Sequence, residues 1–290
     1  MRMIWQTTRF HLDLSSPKIM GIVNVTPDSF SDGGQDANLQ AVINRAERLL
    51  KEGAHILDVG GESSRPGAAP VPLEEELARV LPVLRELVTW GIPISIDTYK
   101  SNVMQAALDL GVDVVNDIWA LRQPGAEEVV SAHGQCGVCL MHMYREPQSM
   151  QAEPLVGDAI EPVQTFLAAR IQVLRERGVA AQRIVLDPGI GFGKTVAQNF
   201  SLLAQQSDLL SLGYPVLAGW SRKSSLGQVT GTTDSPSQDR LAASVAAAVL
   251  AVDRGARVVR VHDVQATVHA LKVWQAVVSQ SPAGQTLPTD

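Results

Sequence analysis

The sequence predicts an α/β fold, a single (β/α)8 TIM barrel, and three observations carry that expectation. Short apolar runs alternate eight times with amphipathic stretches, the order found where parallel strands are joined by helices. The runs are continuously hydrophobic rather than alternating, as in strands covered on both faces. Most of them also end in a polar residue capable of chemistry. Asn24 closes KIMGIVN, Asp97 closes IPISID, Asn116 closes VDVVN and Asp187 closes RIVLD. Ser221-Arg222-Lys223 follows YPVLAGW, while Arg260 and His262 close RVVRVH. Barrels of this kind gather their active site at the carboxyl ends of the strands.

Taken in order, residues 1–18 precede the barrel, and 1–13 read as a short hairpin or extended cap. The apolar runs predict strands over 19–24, 55–59, 92–97, 113–117, 137–142, 183–187, 214–218 and 257–261. Helical patterns fall near 38–52, 73–89, 100–109, 124–133, 155–177, 198–207, 237–253 and 264–278. Gly53, Gly91, Gly111, Gly178, Gly213 and Gly255 each follow a helical stretch, where a left-handed cap favours glycine. The barrel is expected over 19–278, and the polar tail SQSPAGQTLPTD (279–290) is expected to be disordered. No second domain is predicted.

Composition narrows the function. The chain has 290 residues, enough for one barrel of about 250. Its net charge of −6 argues against nucleic acid or an anionic membrane as partner, since both need a basic face. Yet Arg65, Arg222, Lys223, Arg260 and His262 all fall in strand-end loops. A cationic pocket in an acidic protein points to a small anionic substrate. No apolar run approaches the ~20 residues of a membrane span, and the start lacks a signal-peptide core, so a cytoplasmic protein is expected. Cys136 and Cys139 form a lone CGVC. In a strand, residues three apart face opposite ways, so buried, reduced thiols are expected rather than a redox pair or half a zinc site.

Two loops at the predicted mouth are long and glycine-rich, 26–34 and 61–72. A connection needs only about two to six residues, so these are candidate lids. DPGIGFGKT (187–195) resembles a phosphate loop but has Pro188 where the first glycine of that motif belongs. It reads better as a tight turn that leaves Asp187 exposed and offers Phe192 as a pocket wall. Asp97 and Asp187 suit either acid–base work or an amidine-like ring edge. Asn116 offers donor and acceptor together, and Asp58 reads equally as an internal ion-pair partner. His142 and Met141 read as pocket wall or core. The cations after the last two strands match the common phosphate site of such barrels. No spacing for a protein-held metal is present; a divalent ion would arrive with a phosphate.

The strand ends together spell a family. GIVNVTPDSFSDGG (21–34), ILDVGGESSRPGA (56–68), SIDTYK (95–100), VVNDI (114–118), LMHM (140–143), LDPGIGFGK (186–194), GWSRKS (219–224) and RVH (260–262) closely resemble the dihydropteroate synthases, a family of pterin-binding enzymes. The blocks lie at all eight strands, in order.

The resemblance implies condensation of 6-hydroxymethyl-7,8-dihydropterin diphosphate with p-aminobenzoate, with magnesium as cofactor. It implies a homodimer whose aminobenzoate site is competed for by sulfonamides. It assigns Asp97, Asn116, Asp187 and Lys223 to the pterin ring, with Ile118, Met141, Phe192 and Gly219 lining the pocket. Arg260 would cover a pterin face, and His262, Asn24 and Ser64 would meet the diphosphate, Asn24 also holding magnesium. Arg65, Pro66 and Ser224 would build the aminobenzoate site. Asp97, Asp187, Lys223, Arg260 and His262 are the residues expected to carry catalysis. Ser64 stands where the family commonly has Thr. Trp119, Tyr144-Arg145-Glu146, Trp220 and Ser225 also depart from its pattern. Three rivals share features of this set: a pterin-binding methyltransferase using methyltetrahydrofolate, an idle pterin-binding paralogue, and a phosphosugar barrel enzyme.

Overall fold

Alternation along the strands decides what the barrel presents to its interior. The computed structural model describes residues 3–26, 34–63, 65, 67–146, 149–150 and 152–280. An antiparallel hairpin, β1 (Ile4–Gln6) and β2 (His11–Asp13), precedes eight barrel strands. These are β3 (Lys18–Asn24), β4 (Ile56–Gly60), β5 (Ile94–Asp97), β6 (Val114–Asp117), β7 (Gly137–Met141), β8 (Ile184–Asp187), β9 (Val216–Ala218) and β10 (Ala256–Val261). They close in sequence order, with β10 paired to β3.

Met20, Ile56, Val114, Cys139, Val185, Leu217 and Val258 form one buried cluster with Trp5 and Leu14. Each of the seven strand residues lies two positions before another inward-facing residue, and a strand repeats its facing every second residue. Val114 is followed in this way by Asn116, Cys139 by Met141, Val185 by Asp187 and Leu217 by Gly219. Val258 is followed by Arg260 and then His262. The interior is therefore apolar at its base and polar at its carboxyl end. The hairpin stoppers the base: Trp5 is fully buried and its Nε1 donates to the Arg183 carbonyl at 2.9 Å.

The outward strand residues meet a ring of helices: α1 (Gly34–Lys51), α2 (Leu73–Leu87), α3 (Ser101–Asp109), α4 (Ala126–His133), α5 (Ile160–Glu176), α6 (Val196–Ala204), α7 (Ser224–Thr230), α8 (Leu241–Asp253) and α9 (Val264–Val278). Leu57, Ile96, Val115, Leu140 and Leu186 pack there against Leu84, Met104, Val163 and Leu202 in the larger core. Among the described residues, no helix is long and apolar enough to cross a membrane.

Two elements differ from the sequence expectation. The stretch read as helix from 155 begins only at Ile160. Residues before it are pinned to α6 instead, since Gln198 Nε2 donates to the Leu155 and Gly157 carbonyls, each at 2.8 Å. Helix α7 was not predicted: it has seven residues, contains Gly227, and is too short to show an apolar period. The candidate lid over 26–34 and the tail beyond 280 lie almost wholly outside the described residues. Both cysteines are buried free thiols, Cys139 inside the barrel and Cys136 beside Arg183, and burial raises both.

Candidate active site

A cavity of about 580 Å³ opens at the carboxyl ends of the strands. It is lined by Asn24, Arg65, Asp97, Asn116, Ile118, Met141, Asp187, Phe192, Gly219, Lys223, Ser224, Arg260 and His262. Ser64 and Pro66, also expected there, lie outside the described residues. Ile22, Glu62, Ser63, Met150, Ile190, Ser221, Arg222 and Arg240 complete much of the wall. Ile22 was legible in principle, since it stands two residues before Asn24 on the same face.

The floor is an ionic lattice. Arg260 Nε donates to Asp58 Oδ2 at 2.6 Å, and its guanidinium also donates to Asp97 Oδ2 at 2.6 Å. Asn116 Nδ2 donates to the same Asp58 oxygen at 3.1 Å. Asp58, fully buried, is thus an internal partner that sets Arg260 and Asn116 in place. Burial disfavours the Arg260 charge, but Asp58 and Asp97 more than offset this and hold it above its ordinary value. Burial raises Asp97 to about 7 against the pull of Arg260, helped by Asp58, Glu76 and Asp117.

Asp187 is also raised by burial, opposed by the Gly189 N–H and by Lys223. That N–H donates to Asp187 Oδ1 at 2.7 Å. Lys223 ends the loop before α7 and places its ammonium 4.3 Å from the Phe192 ring centroid. Desolvation lowers it to about 8, with Asp187 opposing. Carboxylate, ammonium and aromatic ring thus meet on one side of the cavity.

The turn 187–194 is bolted from behind. Lys194 Nζ donates to the Gly189 and Phe192 carbonyls at 2.8 and 3.1 Å and lies 3.0 Å from His142 Nδ1. It is buried away from the cavity, with its pKa lowered by desolvation to about 7. A phosphate-loop lysine would face its ligand; this one holds the turn. His142 belongs to this packing, edge-on to Phe166, and burial pushes it down to about 2. Gly189 has φ +68°, and a Cβ there would meet the His142 carbonyl oxygen at 1.8 Å. Only glycine lets the turn pass so close to β7. On the other side, Asn199 Oδ1 accepts from the Gly191 N–H at 2.8 Å, and Asn199 Nδ2 donates to Ser225 at 2.9 Å. Ser225 therefore ties α7 to the turn through Asn199, a use for its hydroxyl that the sequence did not signal.

The ends of β9 and β10 are clasped together. Arg222 donates to both carboxylate oxygens of Asp263, at 3.0 and 2.6 Å, so its charge is largely met within the protein. Ser221 Oγ lies 3.0 Å from His262 Nδ1. Burial and the surrounding cations Arg222, Arg260, Arg45 and Lys223 push His262 down to about 2. A smaller cavity of about 220 Å³ adjoins the first beyond Asp97 and Ile118 and contains Trp119. Lys100 bridges Glu62 and Glu76 there, anchoring the base of the second long loop. Trp220 instead packs behind the barrel on Phe200, so neither tryptophan lines the main cavity.

The family model for pterin binding enzymes matches residues 20–262. The dihydropteroate synthase of Neisseria meningitidis serogroup C is 51% identical over 279 residues, covering 95% of this chain and 98% of its own. The Burkholderia cenocepacia dihydropteroate synthase, solved with 7,8-dihydropteroate, is 52% identical with a TM-score of 0.87, covering 96% of this chain and 97% of its own. The Xanthomonas albilineans enzyme with 4-aminobenzoic acid is 48% identical with a TM-score of 0.90, covering 97% of this chain and 100% of its own. A family match across the whole barrel, joined to relatives near half identity over almost their full length, establishes that this chain belongs to the pterin-binding enzyme family.

Proposed function

We propose that this chain condenses 6-hydroxymethyl-7,8-dihydropterin diphosphate with p-aminobenzoate to give 7,8-dihydropteroate and diphosphate, a step of folate biosynthesis. The observation that carries this reading is the division of one cavity. Asp97, Asn116 and Asp187 end β5, β6 and β8, with Lys223 after β9, whereas Asn24 and His262 stand at the ends of the adjoining strands β3 and β10. The first set matches the donors and acceptors of a pterin edge, and the second matches a diphosphate. A methyltransferase would not need the second set, and a phosphosugar enzyme would not need the first. Diphosphate release from the pterin diphosphate, measured with and without p-aminobenzoate and magnesium, tests the reading. No release with both present would overturn it.

The chemistry asks for no protein nucleophile. The methylene C–O bond breaks with its electron pair leaving on the diphosphate, and the arylamine nitrogen forms the new C–N bond, then loses its proton. Arylamines are neutral at pH 7, so no strong base is needed. Leaving-group charge is met by a hydrogen bond from His262 and the cation of Arg260. Cation character on the pterin is met by Asp97 and Asp187. We favour a dissociative order in which diphosphate departs first and p-aminobenzoate captures the cation, with Arg65 and Ser224 facing the second substrate. Absence of C–O cleavage until p-aminobenzoate binds, with rates following amine nucleophilicity, would sink this order.

Magnesium fits the donors present in one way. Among the described residues no group of three His, Cys, Asp or Glu is arranged to hold a metal, whereas the Asn24 carbonyl is a hard, neutral oxygen at the cavity wall. Such a donor suits an ion that enters with the diphosphate and keeps much of its water. Bound there, magnesium would neutralise leaving-group charge.

A pH profile follows from the two perturbed groups. Asp97 carries its charge and accepts at both oxygens only when ionised, so kcat/KM is expected to fall as pH drops through about 7. Lys223 donates fully only when protonated, so the alkaline limb is expected as pH rises through about 8. These limbs belong to the free enzyme. Asp97→Asn should remove the acid limb at reduced activity; an unchanged acid limb in that variant would reassign it.

The protein works as a homodimer in the cytoplasm on this reading. Its free cysteines suit a reducing compartment. Leu241 and Leu250 on α8, with Val273 and Val277 on the adjacent α9, are 41–66% exposed apolar side chains of the kind an identical copy covers. Sedimentation should give twice the 31.1 kDa chain mass; a monomer at micromolar concentration would exclude it.

A further inference from the structure

We propose that Ser221 is a positioning residue that fixes His262 as the neutral tautomer with its proton on Nε2, so that this imidazole serves the leaving group as a fixed N–H donor and not as an acid. The inference rests on the diphosphate reading for what lies opposite Nε2, but the tautomer itself follows from hydrogen-bond accounting within the protein.

Ser221 Oγ accepts from the His262 backbone N–H at 3.1 Å and lies 3.0 Å from Nδ1 of the same residue. A hydroxyl has one hydrogen and two acceptor lone pairs. If Nδ1 carried the proton, Ser221 would accept twice and its own hydrogen would need a third partner. The side chain is only 7% exposed at the edge of the cavity wall, and among the described residues Oγ has no other hydrogen-bond contact. The arrangement that pairs all of these groups within the protein, with no partner drawn from the cavity, has the Ser221 hydrogen on Nδ1. The remaining imidazole proton is then on Nε2.

An imidazolium fails on two grounds. It would present a second N–H to an already committed hydroxyl, and it would add charge to a wall that holds Arg222, Arg260 and Lys223. Asp263 follows His262 directly, but its carboxylate is engaged by Arg222. This pair also makes the clasp rigid. Arg222 has φ +61°, its backbone N–H donates to Ser244 at 2.9 Å, and its carbonyl accepts from Arg240 at 3.1 Å. The two adjacent residues after β9 thus grip the two adjacent residues after β10, Ser221 on His262 and Arg222 on Asp263. Preset orientation matters because a donor aimed at developing charge in advance costs no reorganisation during reaction.

The test is nitrogen NMR on protein labelled with ¹⁵N-histidine, with His262→Gln to assign the signal. At pH 7 without ligand, Nδ1 is expected in the unprotonated range and Nε2 in the protonated range, with no titration down to pH 5. A protonated Nδ1, or an imidazolium, would overturn the proposal whatever the substrate is. Ser221→Ala should mix the tautomers and weaken inorganic diphosphate binding about tenfold, roughly the effect of a lost hydrogen bond. Ser221→Thr, which keeps the hydroxyl, should restore both. If Ser221→Ala keeps the wild-type tautomer, Ser221 does not set it. If the tautomer changes as expected but diphosphate binds as before, Nε2 does not face that ligand and the positioning role for the leaving group is wrong.

Discussion

Lys223→Ala is expected to lower kcat/KM about a hundredfold to a thousandfold, the loss typical when one preorganised polar contact at developing charge is removed. Three features concentrate that effect in one side chain. The ammonium is desolvated enough that its pKa falls to about 8, and in such surroundings a charge acts more strongly than in water. It lies over Phe192 at 4.3 Å, so ring and ammonium hold each other against the pocket wall. It is also a main counter-charge to buried Asp187; without it the carboxyl is pushed further toward its neutral form, and a second binding group weakens with the first. The barrel itself should be little affected, because the lysine stands after β9 and its neighbours Trp220 and Leu226 supply the packing. The thermal midpoint should shift by no more than about 4 °C, equivalent to roughly 1 kcal/mol or somewhat more in a chain of this size. Lys223→Arg is not expected to rescue, since the lysine stem passes within 3.3 Å of where a Gly191 Cβ would sit and a planar fork needs more room. Normal turnover by a folded Lys223→Ala protein would remove this residue from the site.

The fold and much of the candidate pocket could be read because both follow from one rule, the two-residue alternation of a strand. Asn24, Asp97, Asn116, Asp187 and Arg260 could be picked out because each is a polar residue at the end of an apolar run. The same rule failed where function depends on contacts between separate elements. Ser221 looked like one member of a basic tripeptide, and Arg222 like a free cation, because nothing in the sequence states that Asp263 lies across from them. Lys194 sits in a glycine-rich turn, yet its role as a bolt depends on His142 and on two carbonyls that only folding brings to it. Asp58 was ambiguous for a related reason. Its position two residues after Ile56 put it on the inward face, but whether an inward carboxylate faces ligand or protein depends on depth along the barrel. Helix α7 escaped because seven residues cannot display a helical period.

Asp58 provides the sharpest test of that lattice. Asp58→Ala should destabilise the protein by about 3–5 kcal/mol, the usual cost of removing one partner from a buried ion pair. Alanine leaves the Arg260 guanidinium with Asp97 as its remaining acidic hydrogen-bond partner and strips the acceptor from Asn116 Nδ2. Asp58→Asn keeps the volume and one acceptor oxygen but loses the charge, so it should cost less, on the order of 1–3 kcal/mol. The two variants should share a functional signature. Once Asp97 is the one carboxylate hydrogen-bonded to Arg260, as in both variants, it is drawn more tightly into the pair and is less available to a pterin edge. KM for the pterin diphosphate should therefore rise severalfold, while KM for p-aminobenzoate, whose proposed contacts at Arg65 and Ser224 are elsewhere on the cavity wall, should hardly change. Urea unfolding gives the stability and steady-state kinetics give the two KM values. Destabilisation below about 1 kcal/mol would mean that Arg260 does not depend on Asp58. Equal rises in both KM values would mean that the damage spreads through the barrel and is not confined to the pterin floor, so that Asp58 is a general stabilising residue and not the one that sets Arg260 against Asp97.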